Sequence, residues 1–245
     1  MRRRILQRPQ PIASTVDLPI GGILNEERHM SDTTTLPAPS PNPVRGRLNS
    51  VFFALMAGYI NQRLAGHKRE IFPRTGGVVA EIGAGNGPNL RFLPPKTTVH
   101  AIEPNPYFHR RLERTAAVHG IDLTIHSVPG EAIDLDDASV DTVICTWVLC
   151  TVQDPAQVLR EIHRILRPGG RLAFIEHVAA PHGTVRRIQR LVRRPWQWAF
   201  EGCHTDRDTA AAIHAAGFVS VKITEFQFRS SFVPVRTQIA GLAVR

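Results

Sequence analysis

From Leu48 to Phe72 the apolar residues Phe52, Leu55, Met56, Tyr59, Ile60 and Leu64 recur at three- and four-residue intervals, which predicts a helix. Pro73 stops it, because the residue before a proline is pushed out of the α region. Beyond that point short apolar runs alternate with helical patterns. Runs at 77–83, 98–104, 121–127, 140–148 and 171–178 have strand length and β-branched content. Between them lie a short helix from Pro88 to the Pro94-Pro95 break and a longer one from Pro106 to about Val118. A third opens on Asp154-Pro155, presents Val158, Leu159, Ile162, Ile165 and Leu166 on one face, and stops at Pro168-Gly169-Gly170. Strands alternating with helices demand a mostly parallel sheet covered on both faces.

The last third breaks that rhythm. Thr205 to Asp208 resembles a capping box opening a helix that closes at Ala216-Gly217. Residues 218–228 alternate as a strand, and 239–245 form another after a connection of roughly ten residues without helical pattern, too short for a crossover. The fold class is therefore α/β, a doubly wound sheet with an antiparallel return at one edge.

Composition adds limits. Of 245 residues, 42% are hydrophobic and 21% charged, which suits a globular protein and excludes wholesale disorder. The net charge of +9 fits nucleic acid, an anionic membrane or an acidic ligand, and its even spread along the chain selects none of them. Residues 1–45 are proline-rich, without periodicity, and read as a disordered tail before a single domain at 46–245. The polar run after Met30 suggests that residues 1–29 are an upstream extension. Apolar runs fall short of the roughly 18 residues of a spanning helix. Cys145, Cys150 and Cys203 show no CxxC pairing, and the eleven histidines show no HxxxH or HExxH spacing, so no metal site and no disulfide scaffold is expected. A reducing cytoplasm is the expected address.

Chemistry enters at Glu81 to Gly87 (EIGAGNG). Gly83, Gly85 and Gly87 sit where a strand turns sharply, so backbone can approach a ligand that side chains would exclude. Glu103, twenty residues after Gly83 at the end of the second strand, can accept bonds from both ribose hydroxyls. Pro88 stands where a dinucleotide fingerprint needs its third glycine. An acid beside the loop, Glu81, suits an ammonium group better than a pyrophosphate. S-adenosylmethionine carries the amino group, ribose and adenine that these features call for.

These residues, with AIEPN at 101–105, Gly130-Glu131, the 141–152 strand and LRPGG at 166–170, resemble class I S-adenosylmethionine-dependent methyltransferases. More narrowly, the runs YINQ from Tyr59, HKREIF from His67, IEPNPYF from Ile102, CTWVLCTV from Cys145, EHVA from Glu176 and GCHTDRDT from Gly202 resemble the methyltransferase-like protein 7 family of thiol S-methyltransferases. The animal members carry an N-terminal hydrophobic anchor; a polar, proline-rich stretch stands here instead. The resemblance implies a seven-stranded sheet of order 3-2-1-4-5-7-6 with strand seven antiparallel. It implies that Gly83, Gly85, Asn86 and Gly87 line the methionine moiety with Glu81 at its amino group. By the same resemblance Glu103 and Pro104 meet the ribose, Gly130, Glu131 and Ala132 the adenine, and Thr146 and Trp147 the sulfonium and the acceptor. S-adenosylhomocysteine is then the product.

The acceptor is expected to be a small molecule, most simply a thiol, with a phenol or quinol as the alternative. An NAD-dependent oxidoreductase and a non-catalytic cofactor-binding protein are the competing classes. His177, ending the fifth strand, is the candidate base, with His204 and Asp206 behind it. Trp147, Trp196, Trp198 and Phe200 are candidate pocket walls, and Cys145 and Cys150 are expected to be inert core thiols. The basic amphipathic stretch 184–200 reads as a lid over the acceptor. Weak peripheral membrane contact is its second reading, and nucleic acid is not expected. The oligomeric state is left open.

Overall fold

A computed structural model of the chain describes residues 42–72 and 77–245. Seven strands form one sheet: β1 (Val78–Ile82), β2 (Thr98–Ile102), β3 (Asp122–His126), β4 (Val140–Thr146), β5 (Leu166–His177), β6 (Ser220–Gln227) and β7 (Thr237–Val244). Their order is β3-β2-β1-β4-β5-β7-β6. Neighbours pair in parallel except β7, which runs antiparallel to both β5 and β6. The helices are α1 (Pro43–Ile71), α2 (Pro106–His119), α3 (Pro155–Ile165), α4 (Gly183–Ala199) and α5 (Thr209–Ala215).

The two-residue period of the strands builds two cores. Ala80, Ile82, Val143, Cys145, Leu172 and Phe174 face α3 and α5, meeting Val158, Leu159, Ile162, Ile165 and Ile213. Their alternate neighbours Val79, Ile144, Ala173 and Ile175 face the other way with Leu64 and Ile71 of α1 and Leu112 and Ala116 of α2. The four α3 residues are fully buried, at about 1.5–3 kcal/mol of transfer free energy each. Asp154 caps that helix as its sequence predicts, accepting from the N–H of Ala156 at 2.9 Å and Gln157 at 3.1 Å.

Several boundaries differ from expectation. Helix α1 starts at Pro43, because the Asn42 side chain caps the N–H groups of Val44 and Arg45; the rest of the proline-rich stretch, residues 1–41, lies outside the described residues. Leu55, one of the apolar residues that mark that helix in the sequence, is 80% exposed. The helix expected after Pro88 is a single 3₁₀ turn, Leu90–Phe92, since Pro94 and Pro95 leave too little chain for an α-helical nucleus. Residues 166–170 belong to β5, which pairs with β4 on either side of a register shift. The α5 cap is Asp208, which accepts from Ala211 N–H at 3.0 Å; Thr205 instead donates to the Gln189 carbonyl at 3.1 Å. Among the described residues no helix is long and apolar enough to cross a membrane.

Strand order reverses between β1 and β4, leaving a crevice at the carboxyl ends of these strands, the place where doubly wound sheets bind ligands.

Candidate active site

The crevice opens directly after β1. Gly83, Gly85 and Gly87 all adopt positive φ, at 62°, 55° and 74°, which explains the glycines. Gly83 has a second reason, because a Cβ there would lie 2.5 Å from Val148. A Cβ at Gly85 would meet only the Phe108 ring, 3.9 Å away, so the loop leaves space at that point. The Asn86 side chain donates to the Ser50 carbonyl at 3.2 Å and joins the loop to α1.

Two buried carboxyls flank the loop. Glu81 Oε1 accepts from Asn89 Nδ2 at 2.8 Å, and the same amide reaches Thr146 Oγ1 at 3.2 Å. Burial raises the Glu81 pKa to about 7, against the lowering effects of Asn89 and Lys68. Lys68, buried on α1 and bonded to Asn61 Oδ1 at 2.7 Å, is lowered to about 8, chiefly by burial. Glu103 accepts from Gly85 N–H at 2.8 Å on one oxygen and from Asn105 N–H at 2.9 Å on the other. Burial pushes its pKa up, against those two bonds. A carboxylate oxygen accepts more than one hydrogen bond, so Glu103 keeps capacity for a diol.

Glu81 Oε2, Asn86 Oδ1 and Asn89 Oδ1 are buried without a partner in the protein. Three orphaned acceptors around a loop with free space fit a ligand that brings an ammonium group and other donors.

The remaining sequence-predicted positions divide. Gly130 is buried where a Cβ would press on Ile82 at 3.2 Å, so it lies against the end of β1. Pro104 and Ala132 are exposed, and the Ala132 N–H is held in a turn by the Pro129 carbonyl at 3.1 Å. Glu131 turns away to accept from Gln153 N–H at 2.9 Å, bracing the lead-in to α3. Trp147 follows β4 with φ 58° and its indole N–H donates to Gln238 Oε1 at 2.8 Å. That backbone strain is held by the Trp147 N–H bond to the Ile175 carbonyl at 2.9 Å.

The acceptor end is aromatic. The Trp147 ring meets Phe228 at 5.6 Å and His177 at 6.4 Å. Above them Trp196 and Phe200 of the α4 end pack on each other at 4.4 Å, and Phe52 of α1 reaches Phe200 at 5.6 Å. Trp198 points outward, 68% exposed, and takes no part in this wall. A cavity of about 510 Å³ continues from Phe228 past Tyr59, Arg63, Arg229 and Arg236.

His177 is 2% exposed, and its Nε2 lies 3.1 Å from Cys203 Sγ. The Cys203 sulfur also contacts Cys150 Sγ at 3.8 Å and receives the Trp196 indole N–H at 3.3 Å. The hydrogen bond shared with Cys150, outweighing burial and assisted by His177, holds the Cys203 thiol well below its usual range. Burial works against charge on His177, but the Cys203 sulfur prevails and raises its pKa. Cys150 is buried, as expected of a core thiol, and burial pushes its pKa well up; the structure adds that it lies against Cys203 and His177. His204 sits apart, bonded to Gln197 at 2.8 Å. Sequence reasoning also missed Asn89 and Gln238, which fall in none of the motifs named above, and gave no role to Lys68, which lies within the HKREIF run.

A methyltransferase-domain family model matches residues 80–174, from β1 into β5. The human thiol S-methyltransferase TMT1B is 35% identical over 204 residues, 78% of this chain and 84% of the relative. Human TMT1A is 35% identical over 197 residues, 76% of this chain and 81% of the relative. Among solved structures, an S-adenosylmethionine-dependent methyltransferase of Thermotoga maritima superposes with a TM-score of 0.62 at 17% identity, covering 82% of this chain and 97% of that one. Sheet order, glycine loop and these likenesses agree: the chain belongs to the S-adenosylmethionine-dependent methyltransferase family that contains the thiol S-methyltransferases TMT1A and TMT1B.

Proposed function

We propose that the protein methylates a small thiol. S-adenosylmethionine supplies an electrophilic methyl on a sulfonium and leaves as S-adenosylhomocysteine. Glu81 holds its amino group, Glu103 its ribose, and the Gly83–Gly87 backbone the methionine chain, with Asn86 and Asn89 offering their free carbonyl oxygens. Gly130 forms the floor beneath the adenine, and Thr146 with Trp147 leads to the acceptor. In-line displacement at a sulfonium requires alignment and exclusion of water more than proton transfer. The aromatic walls of Trp147, Phe228, Trp196 and Phe200 exclude water there.

The observation that carries the choice of a thiol is the engagement of His177. Its Nε2 already faces Cys203, so the one buried histidine at the end of β5 is not a free base. A thiol ionises near pH 8.5 and a phenol near pH 10, so a thiol tolerates that arrangement far better. The relatives named thiol S-methyltransferases point the same way. The three unpaired cysteines suit the reducing cytoplasm proposed as its location. The test is a pH–rate profile with a matched aryl thiol and phenol. Thiol turnover should rise with thiolate fraction while the phenol stays inert; turnover of the phenol alone would overturn the assignment.

A further inference from the structure

Three side chains from separate segments converge beneath α4. Cys150 comes from the turn after β4, His177 from the end of β5, and Cys203 from the link between α4 and α5. Their ligand atoms all lie within 4.8 Å of one another, and all three residues are buried. We propose that Cys150, His177 and Cys203 form a binding site for one thiophilic divalent cation, with zinc as the reference ion.

The distances suit such an ion. Two thiolates about 2.3 Å from a tetrahedral zinc stand about 3.8 Å apart, and the Cys150 and Cys203 sulfurs are separated by 3.8 Å. An imidazole nitrogen about 2.0–2.1 Å from the ion lies about 3.6 Å from each sulfur. His177 Nε2, at 3.1 Å from Cys203 and within 4.8 Å of Cys150, takes that position by withdrawing about 0.5 Å from the first sulfur and standing about 3.6 Å from the second. Coordination sends the two thiol protons to solvent, a water takes the fourth tetrahedral position, and the two thiolates balance the double positive charge, so the unit is neutral.

Both sulfurs have polar neighbours of the kind that support metal ligands, while His177 Nδ1 is buried without a partner in the protein. The Trp196 indole N–H donates to Cys203 Sγ at 3.3 Å, and Thr151 Oγ1 lies 3.5 Å from Cys150 Sγ. The turn that carries Cys150 is fixed on both sides. Glu176 Oε1 accepts from the N–H groups of Val148 at 2.9 Å and Leu149 at 3.2 Å, while Arg207 donates to the carbonyls of Leu149 at 2.6 Å and Val152 at 2.8 Å. The Cys150 carbonyl accepts from His204 N–H at 2.7 Å, tying the two cysteine segments together. A disulfide between Cys150 and Cys203 would bring the sulfurs to about 2.05 Å and draw at least one of them from its present partners. An ion retains the Trp196 and Thr151 contacts and clamps three walls of the acceptor end to one point.

The test uses untagged full-length protein purified without chelator. Elemental analysis should give about one zinc per chain. Chelation followed by Co²⁺ should give the visible bands and sulfur-to-metal charge transfer of a tetrahedral thiolate site. Cys150→Ser and Cys203→Ser should each lose the zinc and the spectrum, and His177→Gln should weaken both. Retained binding of S-adenosylhomocysteine shows that a variant is folded. Wild-type protein that is folded, carries no zinc and gives no cobalt spectrum would overturn the proposal. So would zinc retained in the Cys150→Ser/Cys203→Ser double variant, or a Cys150–Cys203 disulfide found by mass spectrometry in protein kept under reducing conditions.

Discussion

Glu81 carries an unusual burden for a single side chain. Without a ligand it is fully buried, bonded through one oxygen, and inclined to keep its proton up to about pH 7. In the unfolded chain it ionises near 4.5. The folded state therefore binds the extra proton between these values, and the stability of the free protein should fall as pH rises through that window. An ammonium group placed beside the carboxyl reverses the preference and expels the proton. Affinity for S-adenosylhomocysteine should thus increase from about pH 5.5 to 7.5, with proton release measurable by calorimetry in buffers of different ionisation enthalpy. Glu81→Gln should abolish the release. Unchanged proton release in that variant would remove Glu81 from the amino-group site. Glu103→Ala should weaken the same ligand by about 1–3 kcal/mol at any pH in this range, since it deletes an acceptor whose bonds to Gly85 and Asn105 also shape the loop.

Helix α4 shows how one buried polar side chain fixes an amphipathic element. Its arginines Arg187, Arg190, Arg193 and Arg194 are exposed, as is Leu191 at 82%, so the apolar stripe alone does not secure it. Gln189 does more. Its amide accepts from Ala180 N–H at 2.8 Å and donates to the carbonyls of Val178 and Pro234, each at 3.0 Å. Gln189→Ala would leave three buried backbone groups unpaired, at about 3 kcal/mol in total and roughly 6–12 °C in Tm. Because α4 ends in Trp196 above the acceptor end, the KM for acceptor should rise more than the affinity for S-adenosylhomocysteine falls. A Tm within about 2 °C of wild type would show that α4 is held by other contacts.

Across the whole molecule, what the sequence reveals depends on how locally each feature is written. Strands β1, β4 and β5 are read easily because buried parallel strands are continuous runs such as Val78-Val79-Ala80 and Val143-Ile144-Cys145. The glycine loop and Glu103 are legible because a sharp turn and a ribose acid are needed at fixed offsets along the chain. The Cys150–His177–Cys203 cluster is not legible: His177 and Cys203 lie 26 residues apart, Cys150 and Cys203 lie 53 apart, and spacing rules for metal sites describe single loops or helices. The Trp147 indole likewise finds Gln238 across 91 residues, through the β5–β7 pairing that only the assembled sheet creates. Helix ends misread from sequence, such as Thr205, fail for the same reason, since its hydroxyl is taken by a carbonyl from another helix.

In the proposed reaction this crevice moves a methyl group onto a thiol sulfur. The most direct measurement is incubation with S-adenosylmethionine carrying a deuterated methyl and a small aryl thiol, followed by mass spectrometry of both products. Wild-type protein should yield the deuterated thioether and S-adenosylhomocysteine in equal amounts. Cofactor that binds tightly yet gives no thioether, whether or not phenols, quinols or amines are methylated, would contradict transfer to a thiol.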